Sequence, residues 1–388
     1  MTSAQASALR DEVLRRLGRD DAAVAEVRRY CESPFGEPRV PSPVFPLPEE
    51  PHVADWRRYA LESGAGAFDY LQQRLPQLAI PIGEGVSRTP AYADAVQRGK
   101  EFRSEDFGGR LRLERPEGVR LYIHEHPAGA LPVLVLGHRG DFETLVRALA
   151  FRGEPKPIGP AVNAQLVAGF VNWDRMARHR QAWARGVDPA AVERVWPAEV
   201  ARVAASERWR FQDRFMITCE RPYSGVSAAE LGLELGEAEW LQLSTRLRVE
   251  HEFTHYATQR VFGAMSLNLL DETLSDFMGT SYALGGFRAE WFLRFLGLER
   301  WPQVRAEGRV HTYAGQLSAP AFELLCAVTV DAAAGLERLA REFYSAAERG
   351  RFLLALAGMT LELLACDEAG ALFGEAYDRA GRLTAPRS

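Results

Sequence analysis

Two histidines four residues apart, with a glutamate directly after the first, form the string His251-Glu252-Phe253-Thr254-His255. On a helix, positions i and i+4 share a face, so both imidazoles can reach one metal ion. Glu252 then sits beside the metal without ligating it, placed to take a proton from a water that the metal acidifies. A metal centre that acts on a substrate normally has three protein ligands and one open position. Glu272 lies 17 positions after His255, and Asp276 follows four later, about one helical turn on. A turn at Gly263 lets this second helical run fold back antiparallel, so that Glu272 completes a His, His, Glu set. Asp276, on the same face, can accept the outer N–H of a ligating histidine.

This ligand set leaves three readings open. With Zn2+ it is the site of a hydrolase for a peptide or small amide, in which Glu252 passes its proton to the leaving amine. With Fe2+ the same two histidines and one carboxylate suit a non-haem oxygenase or hydroxylase. In a third reading the metal pins two helices together in a binding protein without catalysis. Glu252 favours the first, because a hydrolase needs a free base there and the others do not.

Around these residues the chain resembles the gluzincin metallopeptidases, the thermolysin type in particular, which pair an HExxH helix with a second helix carrying E-x-x-x-D. The matching strings are His251–His255 and Glu272-Thr273-Leu274-Ser275-Asp276-Phe277-Met278-Gly279-Thr280, joined by a segment a few residues shorter than is usual in that family. The resemblance implies His251, His255 and Glu272 as ligands, Glu252 as general base and Asp276 as the partner of a ligating histidine. A weaker match, Gly308-Arg309-Val310-His311-Thr312-Tyr313-Ala314-Gly315, implies His311 or Tyr313 as the group that stabilises an oxyanion. The resemblance spans about residues 240–325. The whole combination, with Gly137-His138-Arg139-Gly140-Asp141-Phe142 and Asn172-Trp173-Asp174-Arg175 upstream, also resembles uncharacterised bacterial proteins and implies no function through them.

Further residues are candidates for contact with substrate. Arg248 falls near the histidine stripe and is placed either for a substrate carboxylate or for an ordinary ion pair. His138, Arg139 and Asp141 follow a β-like run, where α/β sheets place ligands, although Asp141 equally suits an N-cap. Trp173 and Arg175 either line a pocket or pack. His124 and His126 alternate on one side of a run and form a weak second metal candidate.

These residues need elements to hold them. Helical spacing is expected from Ser7 to Arg29, then a proline-rich connector from Pro34 to Pro51. Short helices are expected to about Arg110, and β-like runs at Val119–His124, Val133–Leu136 and Arg214–Thr218, with a helix from Phe142 to Ala150. From Glu237 the period is helical up to Gly263, again from Leu269 to Ala283 with a stop at Gly285-Gly286, and through most of the remainder. The expected class is α+β in three segments: residues 1–115 helical and proline-rich, 116–235 a small α/β region, and 236–388 a helical metal-binding region.

Composition narrows the partners. Of 388 residues 47% are hydrophobic and 26% charged, as in ordinary globular chains. A net charge of −5 provides neither a footprint for nucleic acid nor a polybasic membrane patch. Met1–Leu17 lacks the apolar centre of a signal peptide, and no stretch reads as long enough to span a bilayer, so a cytoplasmic location is expected. Cys31, Cys219, Cys326 and Cys366 have no paired spacing, which leaves any metal to histidine and carboxylate.

Overall fold

Short runs of branched and aromatic residues pair into one mixed sheet, seen in the computed structural model, which describes residues 3–40, 43–100, 103–266 and 268–384. The strands are β1 (Arg120–His124), β2 (Leu131–Leu136), β3 (Ala164–Val171) and β4 (Gln212–Cys219), in the order β1-β2-β4-β3. β2 pairs antiparallel with β1 and parallel with β4, while β3 is antiparallel to β4. Every residue of β2 is buried, as a central strand covered on both faces requires. β3 was not expected from the sequence. Gly169, at φ +73°, sits where the register shifts between Ala168 and Phe170, and the bulge breaks the alternation that would reveal a strand.

The protein is α+β, and its chain divides into two compact units, Glu49–Glu125 with Ala130–Glu220, and Met1–Pro48 with His126–Gly129 and Arg221–Ser388. These boundaries differ from the three expected segments, because the first 48 residues belong with the helical C-terminal region. The sheet unit is cored by Trp56, Tyr59, Phe142, Leu145, Phe215 and Ile217, all essentially inaccessible. Burying one side chain of this size contributes about 1.5–3 kcal/mol.

In the helical unit the single N-terminal helix expected from spacing is two, Ser3–Leu17 and Asp21–Tyr30. The first ends at Leu17, and Asp20 starts the second, its carboxylate accepting the N–H groups of Ala22 and Ala23. The helix Ala319–Phe343 is, contrary to the sequence reading, long and apolar enough by length and composition to cross a membrane, but its most apolar stretch is 56% buried inside the protein.

The long helix Glu237–Phe262 stops where expected, at Gly263 with φ +70°. That left-handed conformation favours glycine, and a Cβ there would fall 1.9 Å from the Arg39 guanidinium, which would have to swing aside. After it, Asn268 caps the helix Leu269–Ala283 by accepting the Asp271 N–H at 3.0 Å. The two helices pack antiparallel: Asp271 meets His255, Asp276 meets His251, and Gly279 meets Leu247. At Gly279 an added Cβ would lie 2.8 Å from the Leu247 carbonyl oxygen, which is why the axes can approach so closely. Every residue from Leu269 to Ser281 is buried, three carboxylates included. Charges so enclosed need partners.

Candidate metal centre

Those partners are the two histidines. The close helix pair brings His251 Nε2 and His255 Nε2 to 3.2 Å from each other, with Glu272 Oε2 3.5 Å from the first and Oε1 3.5 Å from the second. One ligand atom from each of the three residues lies within 4.8 Å of the others, all three residues are buried, and the cluster can hold a metal ion. Glu252 follows His251 directly on the same turn. It is half-buried, and among the described residues no hydrogen bond or ion pair engages it.

Each donor is braced from behind. His251 Nδ1 lies 2.8 Å from Asp276 Oδ1, and the Tyr223 hydroxyl donates to the same carboxylate. Arg309 completes this chain, pairing with Asp276 Oδ2 and donating to the Tyr223 hydroxyl at 2.9 Å. On the other histidine, His255 Nδ1 stands 3.3 Å from Asp271 Oδ2 and 3.3 Å from Ser275 Oγ. Glu272 Oε2 accepts the Tyr313 hydroxyl at 2.7 Å. A carboxylate behind each imidazole holds the proton on Nδ1 and turns the Nε2 lone pair toward the centre.

Charge bookkeeping points to a cation. Asp271, Glu272 and Asp276 bring three negative charges inside, Arg309 returns one positive charge, and the two histidines, neutral as metal ligands must be, add none. A dication closes that gap. Asp271 Oδ1 is buried without a hydrogen-bond partner, a further sign of unbalanced negative charge. Protons feel the same field. Burial disfavours a charged His255, yet its bonds to Asp271 and Glu272 outweigh burial and lift its pKa well above 6.5. Burial likewise opposes ionised Glu272, but the His255 bond and nearby positive charge bring it down to about 2. Burial raises the Tyr223 and Tyr313 hydroxyls, so both remain neutral donors.

The other expected site residues fare differently. Tyr313 joins the cluster. His311 does not: exposed, it contacts the Arg305 carbonyl at 3.1 Å and stacks on Phe322. Arg248 is buried and donates to the Arg221 and Pro222 carbonyls, holding the segment that delivers Tyr223. The remaining candidates belong to the sheet unit, except His126, which lies in the helical unit. There Asp141 is no N-cap but accepts the N–H groups of Glu114 and Arg115, at 2.7 and 2.9 Å. His138 Nδ1 stands 3.4 Å from that carboxylate. Arg139 binds Glu143, Asn163 and the Gly159 carbonyl. Asn172 caps the helix Trp173–Ala184, Trp173 donates to the Val96 carbonyl, and Arg175 pairs with Asp213 and Asp55. His126 accepts the Ala128 N–H and faces Glu250, and burial keeps it neutral.

Asp271, Tyr223 and Arg309 escaped the sequence reading. Asp271 left a signal, since it directly precedes Glu272 and one residue of helical rotation turns it from one histidine to the other. Tyr223 and Arg309 reach Asp276 from 53 and 33 residues away, with no periodic relation to it.

Among known proteins, the model of DUF7005, a family of unknown function, matches residues 12–368, and the chain belongs to that family. No curated protein and no solved structure matches it.

Proposed function

We propose that this member of a family without an assigned function is a zinc-dependent hydrolase of gluzincin type, acting in the cytoplasm on a narrow class of peptide or small amide. The observation that carries the reading is Glu252: a half-buried carboxylate that no described residue engages, next in the chain to one of three converging, individually braced donors. Bound there, zinc supplies Lewis acidity, acidifying water to around neutral pH and polarising a carbonyl. His251, His255 and Glu272 would hold it. Glu252 accepts the proton of the attacking water and delivers it to the leaving nitrogen, which turns a poor leaving group into an amine. Of the two candidates for the developing oxyanion only Tyr313 reaches the ligand set, and its single O–H, donated to Glu272, would have to turn from that carboxylate to serve it. An Fe2+ oxygenase uses the same ligands but has no work for a free base at position 252, which ranks zinc first.

Glu252→Gln tests the reading. Zinc content should match the wild type, while hydrolysis of a quenched peptide library should fall by roughly 10²–10⁴. Hydrolysis that survives this substitution removes Glu252 from the mechanism.

A further inference from the structure

One phenol oxygen joins three elements of the helical unit. Tyr30 is the last residue of the helix Asp21–Tyr30. Its hydroxyl accepts the backbone N–H of Leu269 at 2.9 Å and donates to the backbone carbonyl of Tyr313 at 2.9 Å. Leu269 opens the helix that carries Asp271, Glu272 and Asp276, where the first N–H groups have no partner within the helix. Tyr313 closes the 3-10 turn Arg309–Tyr313, whose two ends brace Asp276 and Glu272. Tyr30 therefore sets the spacing between the ligand-bearing helix and the turn that braces it.

The same helix is anchored independently. Glu26, one turn earlier, accepts the Ser318 N–H at 2.9 Å, at the start of the helix Ala319–Phe343. The helix thus has a separate attachment that does not touch the metal cluster. Burial holds the Tyr30 hydroxyl in its neutral form, able to donate and accept at once.

We propose that Tyr30 is a positioning residue of the metal centre, acting through Tyr313 on Glu272, so that the N-terminal helix is a working part of the site. The inference rests on the metal reading above. Zinc alone is the probe, its retention by the full-length protein measured by competition with a chromophoric chelator, and Co2+ absorption reports ligand geometry. Tyr30→Phe should weaken zinc retention roughly three- to tenfold, the scale of one lost hydrogen bond, and shift the Co2+ bands. Tyr313→Phe should do at least as much, and Tyr30→Phe should add nothing further in the Tyr313→Phe background.

Glu26→Ala supplies the comparison, since it loosens the same helix at its other anchor. It should lower the melting temperature and leave zinc retention and Co2+ bands unchanged. Equal losses of retention in Glu26→Ala and Tyr30→Phe would reduce Tyr30 to a packing role and overturn the proposal. Additive effects of Tyr30→Phe and Tyr313→Phe would overturn the route through Tyr313. Wild-type protein that takes up no zinc overturns the metal reading itself, and this inference with it.

Discussion

At the scale of single residues, the proposed centre assigns separate roles to groups that would ligate, groups that brace them and one carboxylate that would react. Sequence spacing already singled out five of these residues, because i, i+4 geometry on each helix is a local rule and the turn at Gly263 suggested that the two helices fold back on each other. It failed where a role depends on distant chain. Arg309 and His311 share one short turn, yet the guanidinium reaches Asp276 while the imidazole lies against Phe322. The braces give separable effects. Asp271→Ala should leave the fold intact and weaken zinc retention about 10- to 100-fold, as expected for loss of a carboxylate behind a ligating histidine. Chelator competition measures it. His311→Ala, by contrast, should leave zinc retention unchanged, and a loss there would restore His311 to the site.

At the scale of elements, two helices do most of the positioning, and both were legible in the sequence to within a residue or two. Their ends are marked by Gly263 and Asn268, residues whose backbone and capping chemistry act locally. Their close packing was not legible, since the reason for Gly279 is the Leu247 carbonyl on another helix. Gly279→Ala pushes a methyl into that carbonyl, and overpacking of this kind costs about 1–3 kcal/mol. The prediction is a lower melting temperature together with weaker zinc retention, because separating the helices moves Glu272 away from the histidines. A melting temperature that falls with retention intact would show that the ligand geometry does not depend on this contact. β3 and the break at Asp20 escaped for related reasons, one hidden by a bulge and the other by continuous helical spacing across a cap.

At the scale of the whole molecule, the buried charges couple stability to pH and metal. In metal-free protein the raised pKa of His255 contributes stability in full below 6.5, and this is lost as pH rises through the raised value. The lowered pKa of Glu272 contributes above 4.5, and this is lost as pH falls toward about 2. Zinc held by His255 would have to displace its proton, so binding there should strengthen as pH rises. The stabilisation by added zinc, read as a shift in melting temperature, should therefore be larger at pH 8 than at pH 5.5. A shift independent of pH would mean that no proton leaves the site. His251, His255 and Glu272 together are predicted to hold one zinc ion. Elemental analysis of protein purified without added metal tests it most directly: one zinc per chain in the wild type and a sharp loss in Glu272→Ala are predicted, whereas iron in place of zinc, or zinc content unchanged by that substitution, would contradict it.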